Sequence, residues 1–299
     1  MNDDQAPAHV PEPDPFLRRW LGAATAAFIG AAVVYLLGVC TRWGQQFGDA
    51  AYAGRMQASP ELRAGALDIL DTLRAISVVC IGGGAILTAL VRRRPRMALV
   101  VTAVLGVSIL GAEFLKRVLI RPDFGLDPAG MTANWAPSGH TTVAVTLVLV
   151  AVLVAPSRLR ILVTAVGALY AAAIAAGTLA AGWHRPTDAV MASLWSFAVA
   201  ATGVVVLVLW RSGGVDRVDE IVHPRAHPAG VVAVFVVPIA VLVGSFMIGH
   251  DPVVLTSPGG RFVLASIAID VVAVAVVVLF ARLLRGASLD PPGVERVGS

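Results

Sequence analysis

The chain has 299 residues, of which 57% are hydrophobic and 14% charged, and its mean hydropathy is +0.81. Soluble domains carry about 25% charged residues, so this composition disfavours a soluble enzyme, a DNA-binding domain and a disordered chain. The formal net charge of +4 is too small an excess to indicate nucleic acid as a partner. The two cysteines, Cys40 and Cys80, cannot build a disulfide framework or a cysteine-based zinc site. The sequence leaves two alternatives open for them, one bridge or two separate thiols, and the second is the more common.

Long apolar runs predict the elements of the chain in order. Residues 1–15, with four acidic residues and four prolines, predict a disordered cytoplasmic leader. The runs that follow predict an all-α, polytopic transmembrane helical bundle of about eight spans. They lie at 20–40, 75–91, 97–115, 141–155, 161–182, 189–210, 231–249 and 262–281. The expected domains are a six-span core at 16–210, a cytoplasmic loop at 211–230, two additional transmembrane helices within 231–285 and a cytoplasmic tail at 286–299.

The positions of the basic residues predict the orientation of these spans. With the N-terminus inside, 14 of the 23 Lys and Arg residues lie on the inner side and 9 on the outer side. Because basic loops are retained in the cytoplasm, both termini are expected on the cytoplasmic side. The membrane is expected to be a bacterial-type inner (plasma) membrane. In the segment at 41–74, which joins spans one and two on the outer side, Ser59-Pro60-Glu61 predicts the start of a further helix, with a capping hydroxyl and proline in the first turn.

Three short motifs fall at the outer ends of spans three to six. The first is Lys116-Arg117 followed by Arg121-Pro122, after span three. The positive charges of these side chains can bind a phosphate. Taken alone, however, such residues are more often membrane-surface anchors or contacts to lipid headgroups. Arg117 stands four residues after Glu113 and could pair with it on one helical face.

The second motif is Pro137-Ser138-Gly139-His140, immediately before span four. The backbone amides at a helix start and the helix dipole favour a bound oxyanion or phosphate. Gly139 allows close approach of the backbone, Ser138 offers a hydroxyl and His140 offers a proton donor. The structural alternative is a turn and an N-cap that merely begin a helix.

The third motif is His184-Arg185-Pro186-Thr187-Asp188, between spans five and six. If this turn is helical, the spacing of four residues brings His184 and Asp188 onto one face. A carboxylate bonded to one imidazole nitrogen fixes the tautomer and leaves the other nitrogen nucleophilic. A lone His-x-x-x-Asp is common, however, and by itself favours a purely structural role.

Together the three motifs resemble the signature of the type 2 phosphatidic acid phosphatase superfamily, which comprises integral-membrane lipid phosphatases. The resemblance covers about residues 75–210 and implies a six-helix core with its site at the extracytoplasmic interface. It implies that His184 is the nucleophile, that Asp188 orients it and that His140 protonates the leaving group. By the same resemblance, the phosphate oxygens are held by Lys116, Arg121, Ser138 and Gly139. No metal or cofactor is implied.

The expected substrate is a lipid phosphate, either a polyprenyl pyrophosphate such as undecaprenyl pyrophosphate, or phosphatidate or a related phospholipid. Two departures from the family pattern leave alternatives open. Four residues instead of six separate Lys116 from Arg121, and Gly177-Thr178 stands where the family has Ser-Arg. We hypothesise that Arg185 supplies part of the missing charge. The alternatives are a catalytically degenerate lipid-binding or transport protein on the same scaffold and a lipid phosphotransferase.

Overall fold

The structure is a computed structural model that describes residues 15–73, 75–126, 133–210 and 257–285. All regular structure in these ranges is helical, which confirms the predicted all-α fold. The helices are α1 (Pro15–Gly38), α2 (Arg42–Gly54), α3 (Pro60–Asp71), α4 (Ala75–Val91), α5 (Pro95–Val118), α6 (Gly139–Val154), α7 (Ser157–Ala180), α8 (Pro186–Leu209) and α9 (Pro258–Leu283), with one 3-10 turn at Arg55–Gln57.

Seven of these helices coincide with predicted spans. By length and composition, α1, α5, α7, α8 and α9 can each cross a membrane. The two spans expected to be short are α4 and α6, with 17 and 16 residues. The protein is therefore a helical membrane bundle. The seventh predicted span, the loop at 211–230, the tail at 286–299 and all of the leader except Pro15 lie outside the described residues.

Helices α6 and α8 form the centre of the bundle. In the most apolar 18-residue stretch of α8, 72% of the residues are buried. The helix packs against α1, α5, α6 and α9. Its contact with α5 depends on a small residue, because a Cβ on Gly111 would lie 2.5 Å from the ring of Trp195. The indole nitrogen of Trp195 donates to the carbonyl of Ser108 at 3.0 Å, so the same close approach satisfies a polar group inside the bundle.

Helix α9 packs against α7, α8, α2 and α6. An aromatic cluster joins it to its neighbours: the ring of Phe280 lies 5.1 Å from that of Trp20 on α1 and 6.0 Å from that of Phe197 on α8. The eighth predicted span is thus part of the same bundle as the expected six-span core. Asp270, on this helix, has a buried carboxylate oxygen without a hydrogen-bond partner among the described residues. Cys40 and Cys80 form no disulfide.

The bundle has two chemically different ends. We call the end where α5 and α7 finish and α6 and α8 begin the site end, because all three motifs lie there. Helices α2 and α3 cover this end. The predicted start of α3 is confirmed, since the hydroxyl of Ser59 accepts from the amide of Leu62 at 3.2 Å. The sequence did not predict α2, which begins with the hydroxyl of Thr41 accepting from the amide of Gly44 at 3.0 Å.

Candidate active site

The third motif occupies a sharp turn between α7 and α8. Gly182 has a φ of +77°, in the left-handed region that favours glycine, and this residue lets the chain reverse direction. The amides of Trp183 and His184 then donate to the carbonyl of Thr178, at 2.9 and 3.1 Å. These bonds fix His184 immediately before α8, where its side chain is 8% exposed.

The predicted pairing of His184 with Asp188 is present. Nδ1 of His184 lies 3.2 Å from Oδ2 of Asp188, and both residues are buried. The same carboxylate oxygen accepts from the backbone amide of Arg185 at 3.1 Å, so Asp188 is held in place as the acid of a capping box. With Nδ1 bound to this carboxylate, Nε2 is the ring nitrogen left for another partner.

The second motif begins α6 and is bonded to the third. Ser138 is the N-cap of α6, and its hydroxyl accepts from the amide of Thr141 at 3.4 Å. The amide of Ser138 donates to the backbone carbonyl of Asp188 at 2.9 Å. The start of α6 and the start of α8 are therefore tied together by a backbone hydrogen bond. The side chain of Ser138 is fully buried, and the contact found for it is this cap.

A cavity of about 340 Å³ opens between the motifs. Residues from all three lie in its wall, together with Trp135 and Glu113: they include His140, His184, Lys116 and Gly139. The ring of Trp183 lies 4.9 Å from that of His140, and the ring of Trp135 lies 6.4 Å from that of His184. The two imidazoles predicted from the sequence thus line one half-open cavity, together with the lysine.

Lys116 reaches this cavity from the last turn of α5. A Cβ on Gly139 would lie 3.1 Å from Nζ of Lys116, so only glycine leaves the ammonium its present position. Nζ binds Oε1 of Glu113 at 2.5 Å. Glu113 therefore pairs with Lys116 and not with Arg117, the other partner that helical spacing allowed. On a helix, the residues three and four positions after Glu113 both lie close to it. Here Lys116 faces the cavity, whereas Arg117 is exposed.

Arg121 lies beside a residue that the sequence did not single out. Its Nη2 binds Oδ1 of Asp49 on α2 at 3.2 Å, and Nε of Arg185 binds the same oxygen at 2.5 Å. The side chains of Arg121 and Arg185 are only 6% and 5% exposed. Neither arginine is among the described residues that line the histidine cavity. Sequence reasoning missed Asp49, because its partners lie 72 and 136 residues away.

Thr178 occupies the position at which the family pattern has an arginine. It is fully buried, and its hydroxyl donates to the carbonyl of Ala175 at 2.8 Å within α7. This position therefore brings no cation to the site. The structure instead places Arg185 next to Arg121, which joins a cation of the third motif to one of the first.

Residues 96–212 match the PAP2 superfamily. We call these residues the PAP2 region. This match confirms the resemblance predicted from the motifs, and it spans α5 to α8 with every site residue that the sequence predicted. The PAP2 region indicates a phosphatase-type function for this membrane protein. No curated protein and no solved structure matches the chain. In the described ranges, no group of three or more His, Cys, Asp or Glu residues is arranged to hold a metal ion.

Proposed function

We propose that the protein is a lipid phosphatase that hydrolyses a phosphomonoester or pyrophosphate of a lipid through a phosphohistidine intermediate. The observation that carries this proposal is the buried pair of His184 and Asp188, whose imidazole shares one cavity with His140 and Lys116. A phosphoryl group in that cavity would meet a nucleophile, an acid and a cation. Those are the groups that phosphoryl transfer requires.

In the first step, Nε2 of His184 attacks phosphorus and the bond to the leaving oxygen breaks. The proton on Nδ1 stays in its hydrogen bond to Asp188, whose negative charge stabilises the imidazole as it becomes cationic. His140 gives a proton to the leaving alcohol or phosphate. In the second step, water attacks the phosphohistidine, His140 takes a proton from that water, and inorganic phosphate leaves.

The phosphate oxygens carry the negative charge that this site must stabilise. Lys116 lines the same cavity as both histidines. The start of α6 at Gly139 contributes backbone amides and the positive end of the helix dipole. In the proposed site Ser138 has two tasks, capping α6 and donating its hydroxyl proton to phosphate. Arg121 and Arg185 add positive charge at the edge of the site, and Arg185 takes the place of the arginine missing at Thr178.

The substrate's lipid chain places the reaction in a membrane. We propose that the site faces the extracytoplasmic side of a bacterial-type plasma membrane, with both termini in the cytoplasm. The six-span core at 16–210 would carry the reaction. Paired cysteine variants test this orientation: with Cys40 and Cys80 replaced by serine, a cysteine at position 42 should react with an impermeant maleimide in intact cells, and one at position 93 should react only after lysis. The reverse pattern would contradict it.

A catalytically degenerate, lipid-binding protein is the second candidate. The observation that favours it is Thr178, an uncharged and fully buried residue where the family pattern has a phosphate-clamping arginine. Such a protein would bind a lipid phosphate without releasing phosphate from it.

One assay separates these functions. The purified protein is incubated in detergent with polyprenyl pyrophosphate, phosphatidate and a soluble phosphomonoester, with a chelator present, and inorganic phosphate is measured. Release that disappears in the His184→Ala variant supports hydrolysis. Tight lipid binding without release supports the degenerate scaffold, and appearance of a new lipid ester supports a phosphotransferase. Loss of turnover on addition of the chelator would contradict the proposed metal-independent mechanism.

A further inference from the structure

One face of α2 contacts the turns that carry the proposed site. The face consists of Gln45, Asp49 and Tyr52, which are spaced four and three residues apart and so lie on one side of the helix. Nε2 of Gln45 donates to the carbonyl of Pro122 at 2.8 Å, and the hydroxyl of Tyr52 donates to the carbonyl of Gly182 at 2.8 Å. Helix α2 lies outside the PAP2 region, yet it is bonded to the first and the third motif.

Asp49 stands between these two contacts and binds both arginines of the site. Its Oδ1 lies 2.5 Å from Nε of Arg185 and 3.2 Å from Nη2 of Arg121, and its Oδ2 lies 3.4 Å from the same Nη2. The carboxylate is 15% exposed and the two guanidinium side chains are less exposed still. One acidic group therefore holds together two cations that come from separate turns.

Two buried guanidinium groups repel each other unless an anion lies between them. Burial strengthens this repulsion, because the local dielectric is lower than that of water. Removal of Asp49 takes away the anion that bridges the two groups, so we expect the side chains of Arg121 and Arg185 to lose their present alignment.

A shift of Arg185 would also reach the nucleophile. The amide of Arg185 donates to the carboxylate oxygen of Asp188 that binds Nδ1 of His184. Asp49 is therefore linked to the pair of His184 and Asp188 through a single residue, Arg185. Misplacement of a reacting group by about 1 Å can cost about a hundredfold in rate.

We infer that Asp49 is a positioning residue of the phosphate site, which aligns Arg121 and Arg185 and makes α2 a functional part of the PAP2 region's site. This inference rests on the proposed function, because the arginines are taken to attract substrate phosphate. Asp49 itself touches no substrate and acts through the two cations that it binds.

The direction in which phosphate affinity changes when Asp49 is removed separates an aligning role from a purely electrostatic one. Asp49 is acidic, so its removal makes the site more positive, and charge alone would then strengthen the binding of a phosphate anion. If Asp49 aligns the arginines, its removal weakens that binding instead. A contact that holds the arginines away from the substrate would also give stronger binding on removal.

The test compares Asp49→Asn with Asp49→Glu and with the control Asp68→Asn, which changes an exposed acidic residue on α3. Binding of inorganic phosphate and of orthovanadate is measured for the full-length protein in detergent, alongside kcat and KM for a soluble phosphomonoester. The thermal unfolding midpoint of each variant shows whether it is folded. Asp49→Glu keeps the charge with one more methylene, so it provides a folded variant if Asp49→Asn does not fold.

We expect Asp49→Asn to weaken phosphate and vanadate binding by about tenfold or more, since charge-assisted hydrogen bonds to both arginines are lost. KM should rise more than kcat falls, Asp49→Glu should show a smaller effect in the same direction, and Asp68→Asn should match the wild type. A residue with a purely structural role would lower the unfolding midpoint and leave anion affinity unchanged.

A double-mutant cycle with Arg185→Gln completes the test. If Asp49 acts through Arg185, the double variant should be little worse than the worse of the two single variants. Unchanged or tighter anion binding in Asp49→Asn, or fully additive effects in the cycle, would overturn the inference. Absence of turnover in the wild type would contradict the proposed function instead, while anion binding would still decide the role of Asp49.

Discussion

Two sets of cations, one at each end of the bundle, have different partners. At the site end, Lys116 binds Glu113, and both Arg121 and Arg185 bind Asp49, in each case through a side-chain carboxylate. At the opposite end, three arginines bind backbone carbonyls near the ends of helices. These contacts are Arg92 to Val154 at 3.1 Å, Arg96 to Trp210 at 2.9 Å and Arg160 to Leu284 at 3.4 Å.

The partner indicates what each cation does. The carbonyls at the end of a helix have no partner within the helix and carry its partial negative charge, so an arginine there stabilises the helix and its packing. A carboxylate side chain instead fixes the position of its cation, whose remaining N–H groups can still bind a phosphate. Substitutions at the site end should therefore change catalysis more than stability, and those at the opposite end should do the reverse.

The largest effect is expected from His184→Ala at the site end. Removal of the nucleophile should lower kcat by at least about 10³-fold, because no other group in the proposed mechanism takes up the phosphoryl group. Release of inorganic phosphate measures this loss, and the thermal unfolding midpoint should change little. Substantial turnover in this variant would show that the reaction does not pass through His184.

Asp188→Asn should have the next largest effect. An amide lacks the charge that stabilises the cationic imidazole and can present its NH₂ group to Nδ1, which favours the wrong tautomer. A loss of about 10² to 10⁴ in kcat is expected. The bond from the amide of Ser138 to the backbone carbonyl of Asp188 is untouched by the substitution, so the starts of α6 and α8 should stay joined. A rise in KM with unchanged kcat would contradict an orienting role.

Gly139→Ala tests the approach of Lys116 to the start of α6. The new Cβ would lie 3.1 Å from Nζ of Lys116 and 3.3 Å from Oε1 of Glu113, so the ammonium must move. The shift amounts to a few tenths of an ångström. We expect kcat/KM to fall by roughly threefold, since a misplacement of about 1 Å costs about a hundredfold and this one is smaller. The control is Gly106→Ala on α5, where an added Cβ has no atom within 4 Å. Equal activity in the two variants would count against a role for this approach.

The opposite end provides the smallest effect on catalysis. Arg92→Gln removes the bond to the carbonyl of Val154 and should lower the free energy of unfolding by about 1 kcal/mol. Its kcat and KM should equal those of the wild type. The exposed Arg158→Gln variant at the same end is the matched control and should change neither quantity. A loss of turnover in Arg92→Gln without loss of stability would remove the distinction between the ends.

The histidine side of the site was predictable from the sequence because it depends on local order. Ser138-Gly139-His140 begins a helix, and the interval from His184 to Asp188 is one helical turn, so each short string fixes its own geometry. The predicted topology then placed these strings at the same end of the bundle. The choice of Lys116 over Arg117 as partner of Glu113 was not predictable, since both spacings fit a helix and only the cavity distinguishes them.

The arginine side was not predictable for a different reason. Asp49 acquires its role from residues that lie 72 and 136 positions further along the chain, so no local pattern marks it. Helix α2 is amphipathic and less apolar than the spans, which is why a search for apolar runs passed over it. The recurrence of Gln45, Asp49 and Tyr52 at helical spacing was the one signal in the sequence that could have found this face.

The proposed mechanism requires that His184 carries the phosphoryl group as an intermediate. The most direct measurement is to mix the protein with a radiolabelled lipid phosphate, quench the reaction within milliseconds in alkaline denaturant and locate the label by peptide mass spectrometry. The account predicts an acid-labile phosphoryl group on the peptide that contains His184, formed and lost at rates compatible with turnover and absent from His184→Ala. A label on another residue, or steady turnover with no labelled protein at any time, would contradict it.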